Sequence, residues 1–184
     1  EPSEDDRLGQ MSSGRDEPGE QVLLALTDLP HQQSLGLWHW PITHPLLALG
    51  TPGSGRSTLV ASAAMGALRS GRGVHLCGLS SPKADGAGVG FASGVQRLLT
   101  HPAVGTVVGA EDPRRLVRLW GLAASGRLSD DLLYLDNVDA LIPAVDEVLG
   151  PGQGNALLEA IIRTASATSM SLLLTAPLVA STSR

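Results

Sequence analysis

Apolar positions along the chain fall in short runs separated by polar or glycine-rich breaks, and the spacing alternates between that of strands and that of helices. QVLLAL and LGLWHW, residues 21–26 and 35–40, predict two short strands joined by the turn-prone TDLPHQQS. The run Pro45–Leu49 predicts a central buried strand that enters a glycine-rich turn, and the alanine-rich stretch Ser57–Ser70 predicts a helix that stops at SGRG. Buried strands are expected at Val74–Leu79, at Thr106–Val108, at Leu132–Leu135 and over MSLLLTA, residues 170–176. SSPKADGAGVG, residues 80–90, is too glycine-rich for regular structure, and a short helix is expected near Val95–Thr100. Asp112 followed by Pro113 reads as an N-cap with a first-turn proline, and Leu116, Leu119, Trp120 and Ala123 then share one helix face. A further helix is expected over Val138–Leu149, broken or kinked near Pro143, and another is capped by Asn155 and reaches Ala167. Strands that are apolar throughout, alternating with helices, predict a mostly parallel sheet covered on both faces, with its ligand site at the C-terminal strand ends.

Composition and charge divide the chain. Of its 184 residues 42% are hydrophobic but only 3% aromatic, so alanine, leucine and valine must fill the core. The formal charge of −5 sits in residues 1–21, which are nearly devoid of apolar side chains and read as an acidic, disordered linker. Residues 22–184 carry equal numbers of acidic and basic groups, which gives little footing for nucleic acid. The single Cys77 lies in the apolar VHLCGL and reads as a buried, reduced thiol; no disulfide within the chain is possible. No uninterrupted apolar run approaches membrane-spanning length, and the acidic start is unlike a signal peptide. The absence of any terminus signal suggests a piece of a longer polypeptide.

The chemistry is concentrated in LLALGTPGSGRSTLVAS, residues 46–62. Gly50, Thr51, Pro52, Gly53, Ser54, Gly55, Arg56 and Ser57, followed by Thr58, meet the pattern G-x-x-x-x-G-K-[ST] except that Arg56 stands for lysine. Glycines there let backbone N–H groups turn inward on a phosphate, and the following helix adds its positive N-terminal dipole. Ser57 would offer a hydroxyl to magnesium. Asp136, an acid closing the apolar strand LLYL, is the complementary magnesium-side residue. Arg56 brings a planar fork where a compact ammonium normally fits, and Asn137 stands where a hydrolytic site needs a carboxylate as proton acceptor. Asp139 reads as a first-turn acid favoured by the helix dipole, and Arg114, Arg115 and Arg118 as a solvated helix face. Thr175, at the end of the last strand, reads either as a γ-phosphate sensor or as plain strand polarity. His31, His39, His44, His75 and His101 have no metal-like spacing.

The order of QVLLALTDLPHQQSLGLWHW, LLALGTPGSGRST, VHLCGL, HPAVGTVVGAEDPRRLVRL, LLYLDNVDAL and SLLLTAP…STSR resembles the FtsK/SpoIIIE superfamily of P-loop ATPases. It is most similar to the tandem ATPase modules of the EccC/EssC motors of type VII secretion. HPAVGTVVGAEDPRRL carries most of the specificity, since the phosphate loop alone is generic. The resemblance covers nearly everything after the linker. It implies a RecA-like α/β fold, with the chain stopping before the family's last strand and helix. It also implies that Gly50–Thr58 binds ATP and that Ser57 and Asp136 hold Mg2+. The partners it implies are other ATPase modules of the same chain, a hexameric ring, and a secreted protein or its signal sequence. DNA is a partner elsewhere in the superfamily but is not favoured here by charge. The implied location is cytoplasmic, at the inner membrane face, within a membrane-anchored parent. Arg56 and Asn137 place the sequence with the family's degenerate modules, which bind nucleotide or substrate with weak or no hydrolysis. The competing readings are an active ATP-driven DNA translocase and a nucleotide-free scaffold.

Overall fold

In the computed structural model, which describes residues 21–51, 53–79 and 98–178, β1 (Gln21–Leu29) and β2 (Ser34–Pro41) form an antiparallel hairpin. Its turn is shorter than TDLPHQQS suggests. Pro30–Gln32 make one 3-10 turn, Gln33 takes a left-handed conformation at φ 46°, and Thr27–Leu29 stay in the strand. Apart from Gln21, which opens β1, the acidic stretch of residues 1–21 lies outside the described residues.

Five parallel strands follow: β3 (Leu46–Gly50), β4 (Val74–Cys77), β5 (Val104–Val108), β6 (Leu132–Leu135) and β7 (Ser171–Pro177). They are ordered β3-β7-β6-β4-β5. β3 was expected at the centre; among the described residues it is an edge strand, paired to β7 alone, and Leu47 and Leu49 are more than half exposed. An apolar run shows that a strand can be buried on both faces, but it carries no information about which neighbours hydrogen-bond to it.

Helices cover both sheet faces as the strand–helix alternation requires. On one side α1 (Arg56–Arg69) packs Val60, Ala63, Ala64 and Ala67 against Val74, Leu76, Leu132, Tyr134 and Leu173, and the hairpin closes over it through Val22 and Trp40. Gly66 makes this approach possible, because a Cβ there would lie 2.4 Å from a Val22 methyl. The core is thus built from small side chains brought close, which is how an aromatic-poor sequence fills its volume.

On the other face lie α2 (Pro113–Ala124), α3 (Val138–Leu149) and α4 (Gln153–Ala167). Asp112 caps α2 by accepting the Arg115 N–H, and Leu116, Leu119, Trp120 and Ala123 are its buried face. α3 runs unbroken through Pro143, which sits on its exposed side and deprives it of one backbone bond. Asn155 is not the cap of α4. Gly152 holds that position in a left-handed conformation, and Asp146, near the end of α3, accepts the N–H groups of Gly152 and Gly154 at 3.1 and 2.6 Å. A carboxylate six residues upstream can do this because the intervening glycine turn folds back onto α3. Of the short helix expected near Val95–Thr100, Leu98 and Leu99 are helical and the earlier residues lie outside the description, as does the whole of residues 80–90. Among the described residues no helix is long and apolar enough to cross a membrane.

Cys77 ends β4 and lies in the cluster with the α2 face, with no exposed surface. Burial pushes its thiol up to about 12, against a smaller lowering from the adjacent Trp120. Thiolate is the reactive species, so at neutral pH the folded protein is expected to react with a disulfide reagent roughly a thousandfold more slowly than the denatured chain. Thiol release followed with and without denaturant checks it; equal rates would show that Cys77 is accessible.

Candidate functional site

The parallel register brings the C-terminal ends of β3, β7, β6 and β4 to one rim, with Gly50 opposite Pro177 and Leu135 opposite both Leu174 and Cys77. Two groups of residues meet there. The first is the glycine-rich loop. Gly53 and Gly55 have φ of 81° and 90°, a region L side chains rarely enter, and these positions turn the chain back sharply enough to start α1 at Arg56. Gly50 is enclosed by the loop, since a Cβ on it would lie 2.2 Å from Ser54 Oγ and 3.3 Å from Arg56 Cγ. Pro52 lies outside the described residues.

α1 begins without a side-chain cap. Its opening N–H groups, those of Arg56, Ser57 and Thr58, point along the helix axis toward the rim with the positive end of the dipole. Arg56 adds a formal cation, and its Nη1 is buried with no hydrogen-bond partner among the described residues. Beside the loop opens a cleft of about 350 Å³, lined by Ser54, Gly55, Arg56 and Thr58 together with the apolar Leu24, Leu49 and Leu59. A buried guanidinium nitrogen without a partner among the described residues, next to uncapped amides, is costly unless an anion completes it.

The second group surrounds Asp136. Its carboxylate Oδ1 accepts the Tyr134 hydroxyl at 2.5 Å and the Thr175 hydroxyl at 2.6 Å, while Thr175 Oγ1 accepts the Asn137 N–H at 2.9 Å. Thr175 comes from β7, the strand between β6 and β3, and is fully buried. Its one donor is therefore committed to Asp136 and one of its lone pairs to the backbone. Asn137 stands at the start of α3 in a left-handed conformation, φ 51° and ψ 62°, with its side chain exposed. Asparagine tolerates that region better than most residues. Gly78 allows β4 to end against this turn, its φ being +84° and a Cβ there lying 2.4 Å from the Asp136 carbonyl oxygen.

Tyr134 joins the two groups. Burial raises its hydroxyl well above the ordinary tyrosine range, the Asp136 charge and hydrogen bond raise it further, and Thr175 and the Arg56 cation pull the other way. Sequence reasoning passed over it as one more residue of the apolar run LLYL. The available signal was its place two positions before Asp136, which in a strand puts both side chains on one face. The remaining candidates lie apart from this cluster. Asp139 is exposed in the first turn of α3, and Arg114, Arg115 and Arg118 are exposed on α2.

An α/β domain of this strand order, with a glycine-rich strand–loop–helix and an acid closing a neighbouring strand on the same rim, has a P-loop NTPase-like fold. No protein-family model matches the chain, and no curated protein matches it significantly in sequence. Solved structures do match. The cytoplasmic domain of EssC superposes with a TM-score of 0.59 at 16% identity over 87% of this chain and 32% of that one. The cytoplasmic domain of the type VII secretion ATPase EccC from Thermomonospora curvata gives 0.57 at 13% identity, covering 88% and 19%. ATPases 2 and 3 of EssC from Geobacillus thermodenitrificans give 0.54 at 13%, covering 87% and 33%. The domain thus has the fold of the EssC and EccC ATPase modules, as the resemblance in sequence implied, and it spans a third or less of the length of those chains.

Proposed function

We propose that the chain is an ATP-binding module of an FtsK/SpoIIIE-type motor, binding nucleotide with weak or no hydrolysis and serving assembly or substrate recognition in protein secretion. The observation that carries this reading is Arg56 Nη1, buried and without a hydrogen-bond partner among the described residues, beside the uncapped start of α1: a cationic site of the right sign for a polyphosphate. Backbone N–H groups of Gly53 and of Gly55 to Thr58 would hold the phosphates, that of Ser54 being donated to the Thr51 carbonyl, and Arg56 would pair with them through its fork. Ser57 and Asp136 would hold Mg2+, and among the described residues no hydrogen bond occupies Asp136 Oδ2. The bound ion would neutralise part of the phosphate charge. Hydrolysis lacks a carboxylate at Asn137, whose amide cannot accept a proton from water. The proposed setting is the cytoplasmic face of a membrane-anchored parent, next to other ATPase modules of the same chain in a ring, with a secreted protein or its signal sequence as cargo.

Thermal unfolding with and without nucleotide tests this. A ligand specific to the folded state adds about 2.7 kcal/mol at a hundredfold excess over Kd, and for a chain of this size that raises Tm by roughly 5–10 °C. MgADP and MgATP are both expected to give such a shift. No shift at millimolar nucleotide, with the protein folded, would overturn the reading in favour of a nucleotide-free scaffold. Salt-sensitive DNA binding in the same protein would favour the translocase.

A further inference from the structure

We propose that Tyr134 is a positioning residue: its hydroxyl and that of Thr175 converge on Asp136 Oδ1, so that only Oδ2 is offered to a hydrated divalent cation. This rests on the nucleotide-binding reading above and adds to it the residues that set the metal-side acid in place.

A carboxylate oxygen has two lone pairs, and the bonds of 2.5 and 2.6 Å engage both on Oδ1. The terminal torsion of aspartate is broad and turns freely where nothing holds it. Here it is held from two strands, by Tyr134 of β6 and by Thr175 of β7, and Thr175 is itself fixed through the Asn137 N–H. The plane of the carboxylate and the direction of Oδ2 are therefore set before any ligand arrives. Mg2+ keeps most of its waters when bound by protein, so an acid near it works as a directed hydrogen-bond acceptor, and direction matters more than charge alone. If Tyr134 served only to fill the cluster under α1, a phenylalanine would fill it equally, since its ring is surrounded by apolar side chains and its hydroxyl meets Asp136 at the polar rim.

The test is calorimetric titration of ADP, in Mg2+ and in EDTA, into the wild type and Tyr134→Phe, Thr175→Val and Thr175→Ser. The wild type is expected to bind ADP more tightly in Mg2+ than in EDTA. Tyr134→Phe and Thr175→Val are expected to lose about tenfold of that metal-dependent gain, with affinity in EDTA unchanged, and Thr175→Ser is expected to retain it. Tyr134 is the single tyrosine of the chain, so a tyrosine ring label gives one resonance; it should move in Asp136→Asn, and again when Mg2+ is added to the ADP complex. A Tyr134→Phe protein that keeps the full Mg2+ gain, or loses affinity equally in EDTA, overturns the assignment. If Tyr134→Phe does not fold, Thr175→Val against Thr175→Ser and the tyrosine resonance decide in its place. A wild type that binds no nucleotide overturns the functional reading itself, a result distinct from binding in which Tyr134 makes no difference.

Discussion

Phosphate release by the unmodified protein is expected to be slow, and Arg56→Lys combined with Asn137→Glu is expected to raise it by more than the two single changes together. Lysine at 56 would restore a compact ammonium to a loop that closes tightly over Gly50, where the longer Arg56 packs its Cγ against the glycine. Glutamate at 137 would supply a proton acceptor, a role worth on the order of a hundredfold or more in other enzymes. Neither gain is realised without the other if charge stabilisation and water activation act in one transition state. The fold adds a cost. Position 137 is left-handed, and a glutamate held there is strained by about 1–2 kcal/mol, so Asn137→Glu alone should lower Tm by a few degrees without adding turnover. Steady-state phosphate release from the four proteins, alone and within the parent assembly proposed above, provides the measurement. Brisk turnover by the unmodified protein would show that Arg56 substitutes for lysine, and the degenerate-module reading would fall.

Trp120→Ala is expected to cost about 3–5 kcal/mol, a large share of the roughly 5–15 kcal/mol that stabilises a domain of this kind. Trp120 is completely buried in the cluster that joins α2, α3 and α4 to the sheet, so its truncation leaves a large cavity in a close-packed interior. For a chain of this length the loss corresponds to a fall in Tm of roughly 10 °C. Leu26→Ala is the counterpart on the outer face of the hairpin. Leu26 is 66% exposed, and its truncation should stay within about 0.5 kcal/mol. Denaturant midpoints for the two variants make the comparison. A Trp120→Ala protein as stable as wild type would mean that α2 is not held by its apolar face.

Local features of this fold are legible from neighbouring residues alone. Asp112 and Pro113 start α2 because a cap needs only a side chain and an amide three residues on, and Leu116, Leu119, Trp120 and Ala123 follow from helical period. The glycine-rich loop and the acid after LLYL are equally local, each being a strand end with a residue of definite chemistry. Tertiary structure decided everything that depends on who the neighbour is. It placed β3 at the edge of the described sheet, gave the start of α4 to Asp146 in place of Asn155, and carried α3 through Pro143. It also joined Tyr134, Asp136 and Thr175, two strands brought together across 41 residues of sequence, into one hydrogen-bonded group. The reason is physical: periodicity and capping report the environment of a residue along its own chain. Strand pairing and hydrogen bonds between side chains are fixed by register between segments whose separation in sequence carries no trace of it.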